Sequence, residues 1–63
     1  MDHAISQLKD YMWSVISTHT DYTREEMEPE IKAYVGALNI LEKHYYGEKQ
    51  TDLDQVLSNF KEG

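Results

Sequence analysis

Carboxylates are the groups in this sequence best supplied to do chemistry. Twelve aspartates and glutamates stand against six lysines and arginines in 63 residues, a formal net charge of -6. Five of the carboxylates, Asp21, Glu25, Glu26, Glu28 and Glu30, fall within residues 21 to 30, where Arg24 is the one cation and the local balance is -4. A second set, Glu48, Asp52 and Asp54, follows later. Glu26 and Glu30 lie one helical turn apart, a spacing at which two carboxylates can do acid-base work or share a cation. The plainer reading is structural. Acidic residues at a helix start complement its dipole, and Glu28 to Lys32 is an ordered i, i+4 pair. The sharper reading is electrostatic, because a negative patch steers a basic partner and disfavours wrong ones. At the limit, carboxylates on rigid helices would stand in for phosphates and block a nucleic-acid-binding groove.

Other chemistries find little material. His3, His19 and His44 are far apart, with no HExxH or ExxH spacing, and His44 falls on a different helix face from Glu42. The chain has no cysteine, so disulfides and thiolate sites are excluded, and it has neither a GxSxG motif nor a glycine-rich phosphate loop. A chain this short leaves little room for the roughly 300 Å3 or more of a small-molecule pocket. The sequence therefore predicts no catalytic residue, no metal site and no cofactor. Its charge argues against direct binding of nucleic acid, which needs clustered lysine and arginine. It has no apolar run of membrane-spanning length and no signal-peptide pattern, so a cytoplasmic protein off the membrane is expected.

The elements that must position these groups are helical. Met1, Ile5, Leu8, Met12 and Val15 repeat at spacings of 4 and 3, with Ala4, Tyr11 and Ile16 widening the stripe, which predicts an amphipathic helix over about residues 2–17. The polar stretch 17–22 then breaks the pattern. Thr23 and Glu26 have capping-box spacing, with Asp21 as a competing cap. A longer seam of Met27, Ile31, Tyr34, Leu38, Leu41 and Tyr45 predicts a second helix over about 24–46, closed by Gly47. Pro29 suits a helix start, yet Met27 keeps the seam in register across it, which favours one continuous helix with a bend. Thr51 is the expected cap of a short third helix over about 52–61, whose apolar face is Leu53, Val56, Leu57 and Phe60.

The second helix has more apolar surface than one neighbour can cover. Ala33, Val35, Ala37 and Ile40 widen its arc to roughly 220° at about 100° per residue. Ala33, Gly36 and Ala37 would let another backbone approach closely. Glycine inside a helix is unfavourable by about 1 kcal/mol relative to alanine, which points to tight packing at Gly36. Ala33, Gly36, Ala37 and Ile40 are therefore candidate helix-packing or dimer residues. The predicted fold is all-α: a single domain, 1–63, with a hairpin of two long amphipathic helices and a short C-terminal helix, completed as a dimeric bundle. The alternative is a monomer whose third helix fills the groove. Trp13 lies off the apolar arc, four residues after Lys9, where a cation-π contact can hold it. Trp13, Tyr22 and Tyr46 are the aromatic candidates for a partner interface, with edge packing as the plain alternative.

In general character the chain resembles the short acidic proteins that bacteriophages encode early in infection to bind and inhibit a host enzyme. The features behind this are the compact acidic sequence, the run Glu30-Ile31-Lys32-Ala33-Tyr34 leading into Leu38-Asn39-Ile40-Leu41-Glu42-Lys43, and the missing catalytic equipment. The resemblance is one of style over the whole chain and transfers no site residue. It implies a stoichiometric inhibitor in the host cytoplasm, aimed at a nucleic-acid-processing or defence protein. The leading expectation is a dimeric protein-protein interaction module acting on a basic protein partner. Second comes a structural or regulatory subunit docking a larger assembly through its apolar helix face. A metal-dependent or acid-base enzyme is third.

Overall fold

In the computed structural model, residues 3–61 are described, and they form three helices: α1 (His3–Thr18), α2 (Arg24–Tyr46) and α3 (Leu53–Leu57). Met1 and Asp2, which the sequence assigns to the first helix, lie outside the described residues. α2 is the spine. α1 and α3 both pack on it without close approach of their own backbones, and the molecule measures 35 × 17 × 14 Å.

α1 buries Ile5, Met12 and Ile16, with Leu8 and Val15 partly covered beside them. Tyr11, expected to widen that stripe, is exposed and meets Tyr34 edge-on, with ring centroids 5.7 Å apart. The helix ends where polar side chains take its last carbonyls. Thr18 Oγ1 donates to Ser14 O at 2.9 Å and His19 Nδ1 donates to Val15 O at 2.9 Å.

α2 begins at the predicted capping box. The Glu26 amide donates to Thr23 Oγ1 at 3.2 Å, and the Thr23 amide donates to Glu26 Oε1 at 2.9 Å. Thr23, and not Asp21, is thus the N-cap. The helix continues unbroken through Pro29, whose missing amide leaves a bond unmade on an exposed face. It closes at Gly47, which adopts φ 84° and donates its amide to Lys43 O at 3.0 Å.

The buried line of α2 differs from the predicted seam. Met27, Ile31, Val35, Leu38 and Glu42 are buried, Tyr34 and Leu41 are half-buried, and Tyr45 is exposed. With α1 and α3 both packed on the helix, the deepest line moves toward Val35 and Glu42.

The third element also differs. α3 spans five residues, its N-cap is Asp52 with no side-chain capping bond, and Thr51 is engaged elsewhere. Beyond Leu57 the chain tightens into turns in which Asn59 N donates to Val56 O at 3.2 Å and Phe60 N to Leu57 O at 3.0 Å. Ser58 Oγ and Asn59 Nδ2 donate to Gln55 O and Val56 O, competing with helix continuation. Phe60 is buried nonetheless. Lys61 then forms an isolated parallel bridge with Thr23, and its carbonyl accepts the Arg24 amide, so the chain end is tied to the start of α2.

Candidate protein-interaction surfaces

The most heavily hydrogen-bonded side chain is Glu42, which sequence reasoning did not single out. It is 0% exposed. Its Oε1 accepts the amides of Gln50 and Thr51, both at 3.0 Å, and its Oε2 accepts the Thr51 hydroxyl at 2.6 Å. Lys9 Nζ lies 3.7 Å from Oε2. With the Asn39 amide turned so that its nitrogen faces acceptors, that group donates to Glu42 Oε1 at 3.1 Å and Thr51 O at 3.0 Å. Burial pushes the carboxyl pKa up, but the Thr51 hydroxyl, the Gln50 and Thr51 amides and the Lys9 charge together hold it below the ordinary glutamate value. The carboxylate clamps the 50–51 loop to α2 and ties both to α1. The sequence carries one signal for it: Glu42 stands four residues after Leu38 and seven after Val35, in a position the apolar line should occupy.

The acidic cluster is placed where the sequence puts it. Asp21, Glu25, Glu26, Glu28 and Glu30 are all exposed at one end of the molecule, around the N-terminal turns of α2. Among the described residues the ion pairs are Lys9–Glu42 and Arg24–Asp54, so the anticipated Glu28–Lys32 pair is not formed. Arg24 Nη2 reaches Asp54 Oδ1 at 2.9 Å. The single cation of the cluster therefore faces α3, and the second acidic set loses Asp54 to it. Next to this end, burial and then the Tyr11 hydroxyl and Glu30 charge raise the Tyr34 pKa.

The three aromatic candidates are exposed but are not brought together. Tyr22 sits beside the acidic end, its ring centroid 5.3 Å from that of His19. Trp13 lines a cleft of about 420 Å3 between α1 and α3, over Met12 and Val56, with Lys9, Thr51, Gln55 and Asn59 around it. Chain length led us to expect less room; the cleft lies where the two helices flank α2. Tyr46 lines a smaller hollow of about 200 Å3 with Ile5, Ser6 and Lys9. Lys9 thus borders both hollows, and its ammonium is directed at Glu42, not held over the Trp13 ring as the sequence spacing suggested.

The face of α2 opposite the core is bare. Ala33, Gly36, Ala37 and Ile40 are all exposed, Ile40 at 72%, and a Cβ built on Gly36 would have no neighbour within 4 Å. Within one chain, then, Gly36 makes no tight contact, and α3 does not fill the wide arc. α3 packs on the other side, where Val56 and Leu57 join the core.

No protein-family model, curated protein or solved structure matches this chain. Among the described residues, no group of three or more His, Asp or Glu side chains converges in a way that could hold a metal ion. No described helix is long and apolar enough to cross a membrane.

Proposed function

We propose that this protein is a protein-protein interaction module that binds a partner with a basic surface and modulates it stoichiometrically, most simply as an inhibitor. The observation that carries this reading is the acidic end, whose carboxylates outnumber the cations beside it. Its five carboxylates are exposed on and beside a capped helix start; of the nearby cations, Arg24 is drawn off to Asp54, and Lys61 is held there through its backbone with no ion pair to the cluster among the described residues. A rigid cluster of one sign gives long-range attraction and an orientation for docking without costly rearrangement. Tyr22 at the edge of the cluster offers an amphipathic contact of the kind enriched at interface hot spots. A nucleic-acid-processing or defence protein has the required basic groove, and carboxylates on α2 would occupy the places of phosphates.

The test is affinity capture from the cells in which the protein acts, comparing the wild type with an Asp21→Lys, Glu28→Lys variant. A captured protein of basic surface that elutes as salt rises and is lost from the variant is the expected result. Retention by the variant with unchanged salt dependence overturns the electrostatic reading. The alternative of a subunit docking a larger assembly through the apolar face of α2 is favoured by the exposure of Ile40. It predicts instead that Ala37→Trp abolishes capture while the acidic variant does not.

A further inference from the structure

We infer that the bare face of α2 is covered by a second copy of this chain, packed antiparallel across a two-fold axis at the level of residues 34 and 35. The proposal shares Glu25 and Glu26 with the acidic end and leaves Asp21, Glu28 and Glu30 to the partner surface. It starts from the polar residues that bracket the apolar stripe. Glu25 and Glu26 lie at its N-terminal end, Lys43 and His44 at its C-terminal end, and all four are exposed. Glu25 and Lys43 are 18 residues apart, and so are Glu26 and His44. At about 3.6 residues per turn, 18 residues make about five whole turns, so each pair stands on one flank of the helix. In an antiparallel two-fold pair, each flank of one helix runs beside the same flank of the other. Both pairs share nearly the same midpoint, between residues 34 and 35. One axis therefore brings Glu25 near Lys43 of the second copy and Glu26 near its His44, twice over by symmetry.

The same axis solves the shape of the face. Ala33, Gly36 and Ala37 straddle it, so the two backbones can approach at the short end of the roughly 8–10 Å range of packed helices. Ile40, the most exposed of the large apolar side chains among the described residues, falls over Pro29 and Ala33 of the second copy, large against small. A parallel arrangement would set Glu25 beside Glu25 and Lys43 beside Lys43. The charge order along the helix thus selects a second copy in one orientation. Glu26 can serve here without losing its capping role, since Thr23 uses Oε1 and leaves Oε2 free. One helix pair is a small interface, near the low end of specific ones, so the dimer is expected to dissociate on dilution.

The experiment is sedimentation of the full chain from about 1 µM to 1 mM, together with cysteine crosslinking, which is clean because the chain has no cysteine. We expect the mass to rise with concentration from 7.4 kDa toward twice that value. Ile40→Glu, a change at an exposed site, should remain at 7.4 kDa with an unchanged helical spectrum. Lys43→Glu should weaken association at least tenfold, and adding Glu25→Lys to it should restore association. Gly36→Cys should oxidise readily to a disulfide-linked dimer. His44→Cys should not, because its two copies would lie roughly 27 Å apart along the axis at about 1.5 Å rise per residue. A mass of 7.4 kDa throughout overturns the proposal and leaves the face to a different protein. A dimer that survives Ile40→Glu places the contact elsewhere and also overturns it. Equal crosslinking at positions 36 and 44 rejects the antiparallel orientation.

Discussion

Glu42 occupies a place in the core line of α2 that a leucine would ordinarily fill, and its chemistry explains why it is tolerated. A buried carboxylate is costly unless its oxygens are satisfied, and here two amides, a hydroxyl, an amide side chain and an ammonium supply that. Removing it leaves the Gln50 and Thr51 amides without their acceptor. Glu42→Ala should therefore lower stability by about 3 kcal/mol or more, measured by urea unfolding, and in so small a domain that loss is close to unfolding it. The same group gives a pH signature. Because its folded pKa is depressed, the unfolded chain binds the proton more readily, and stability rises with pH between the two values. The contribution is present above about pH 4.3, the ordinary glutamate value, and is lost as pH falls through the lower folded value. Urea midpoints followed from pH 7 to pH 2 should show that loss, and Glu42→Gln should flatten it. A Gln variant with the full acid dependence would show that other carboxylates carry it.

α2 is fixed at both ends by local rules and distorted in neither. The Thr23–Glu26 box and the left-handed Gly47 set its limits, which is why Pro29 in its sixth position does not end it. Thr23→Ala should cost about 1 kcal/mol in unfolding free energy through loss of the cap, and Glu26 would lose its reciprocal partner as well. Gly36 is the opposite case. It is helical with open space around its would-be Cβ, so Gly36→Ala should raise the stability of the dissociated chain by about 0.5–1 kcal/mol, measured at low micromolar concentration. No gain there would mean that the methyl group meets a contact the single chain does not show. α3 differs from both long elements. With five residues and no side-chain cap it cannot persist alone, and it holds its place through Val56, Leu57 and Phe60 in the core and the clamp at Glu42.

As a whole molecule the chain is a spine covered on two sides and bare on the third. Its core draws on all three helices and on Phe60 beyond them, yet the outward face of α2 keeps Ile40 largely in water. Association that covers this face stabilises the folded form by mass action. The thermal midpoint should accordingly rise with protein concentration in the wild type and stay constant in Ile40→Glu, as read by circular dichroism at two concentrations a hundredfold apart. A midpoint independent of concentration in both chains would contradict assembly through this face. The antiparallel pair would also carry an acidic end at each tip, so Asp21 and Glu28 remain available to a partner while the apolar faces are closed.

The helices and most of their limits were legible before any tertiary contact was known, because their causes are local. Apolar spacing, the Thr23–Glu26 box and a glycine able to take positive φ act within a few residues, and Met27 kept the register across Pro29. Where the charge lies was legible as well, since exposed carboxylates need no partner to stay at the surface. The remaining features depend mostly on groups brought together by folding. The buried line of α2 turned toward Val35 and Glu42 because α1 and α3 both cover that helix, and a periodicity cannot say on which side each neighbour sits. Thr51 left its expected capping role because Glu42, nine residues earlier, offered a stronger charged acceptor. Arg24 was withdrawn from the acidic cluster by Asp54, thirty residues away. The end of the third helix at Leu57 combines both kinds of cause, since Ser58 and Asn59 bond locally to carbonyls three residues before them while the core holds Phe60. For Thr51 and Arg24 a single partner more distant in sequence outweighed a local preference of about 1 kcal/mol, which is the scale on which caps and propensities act.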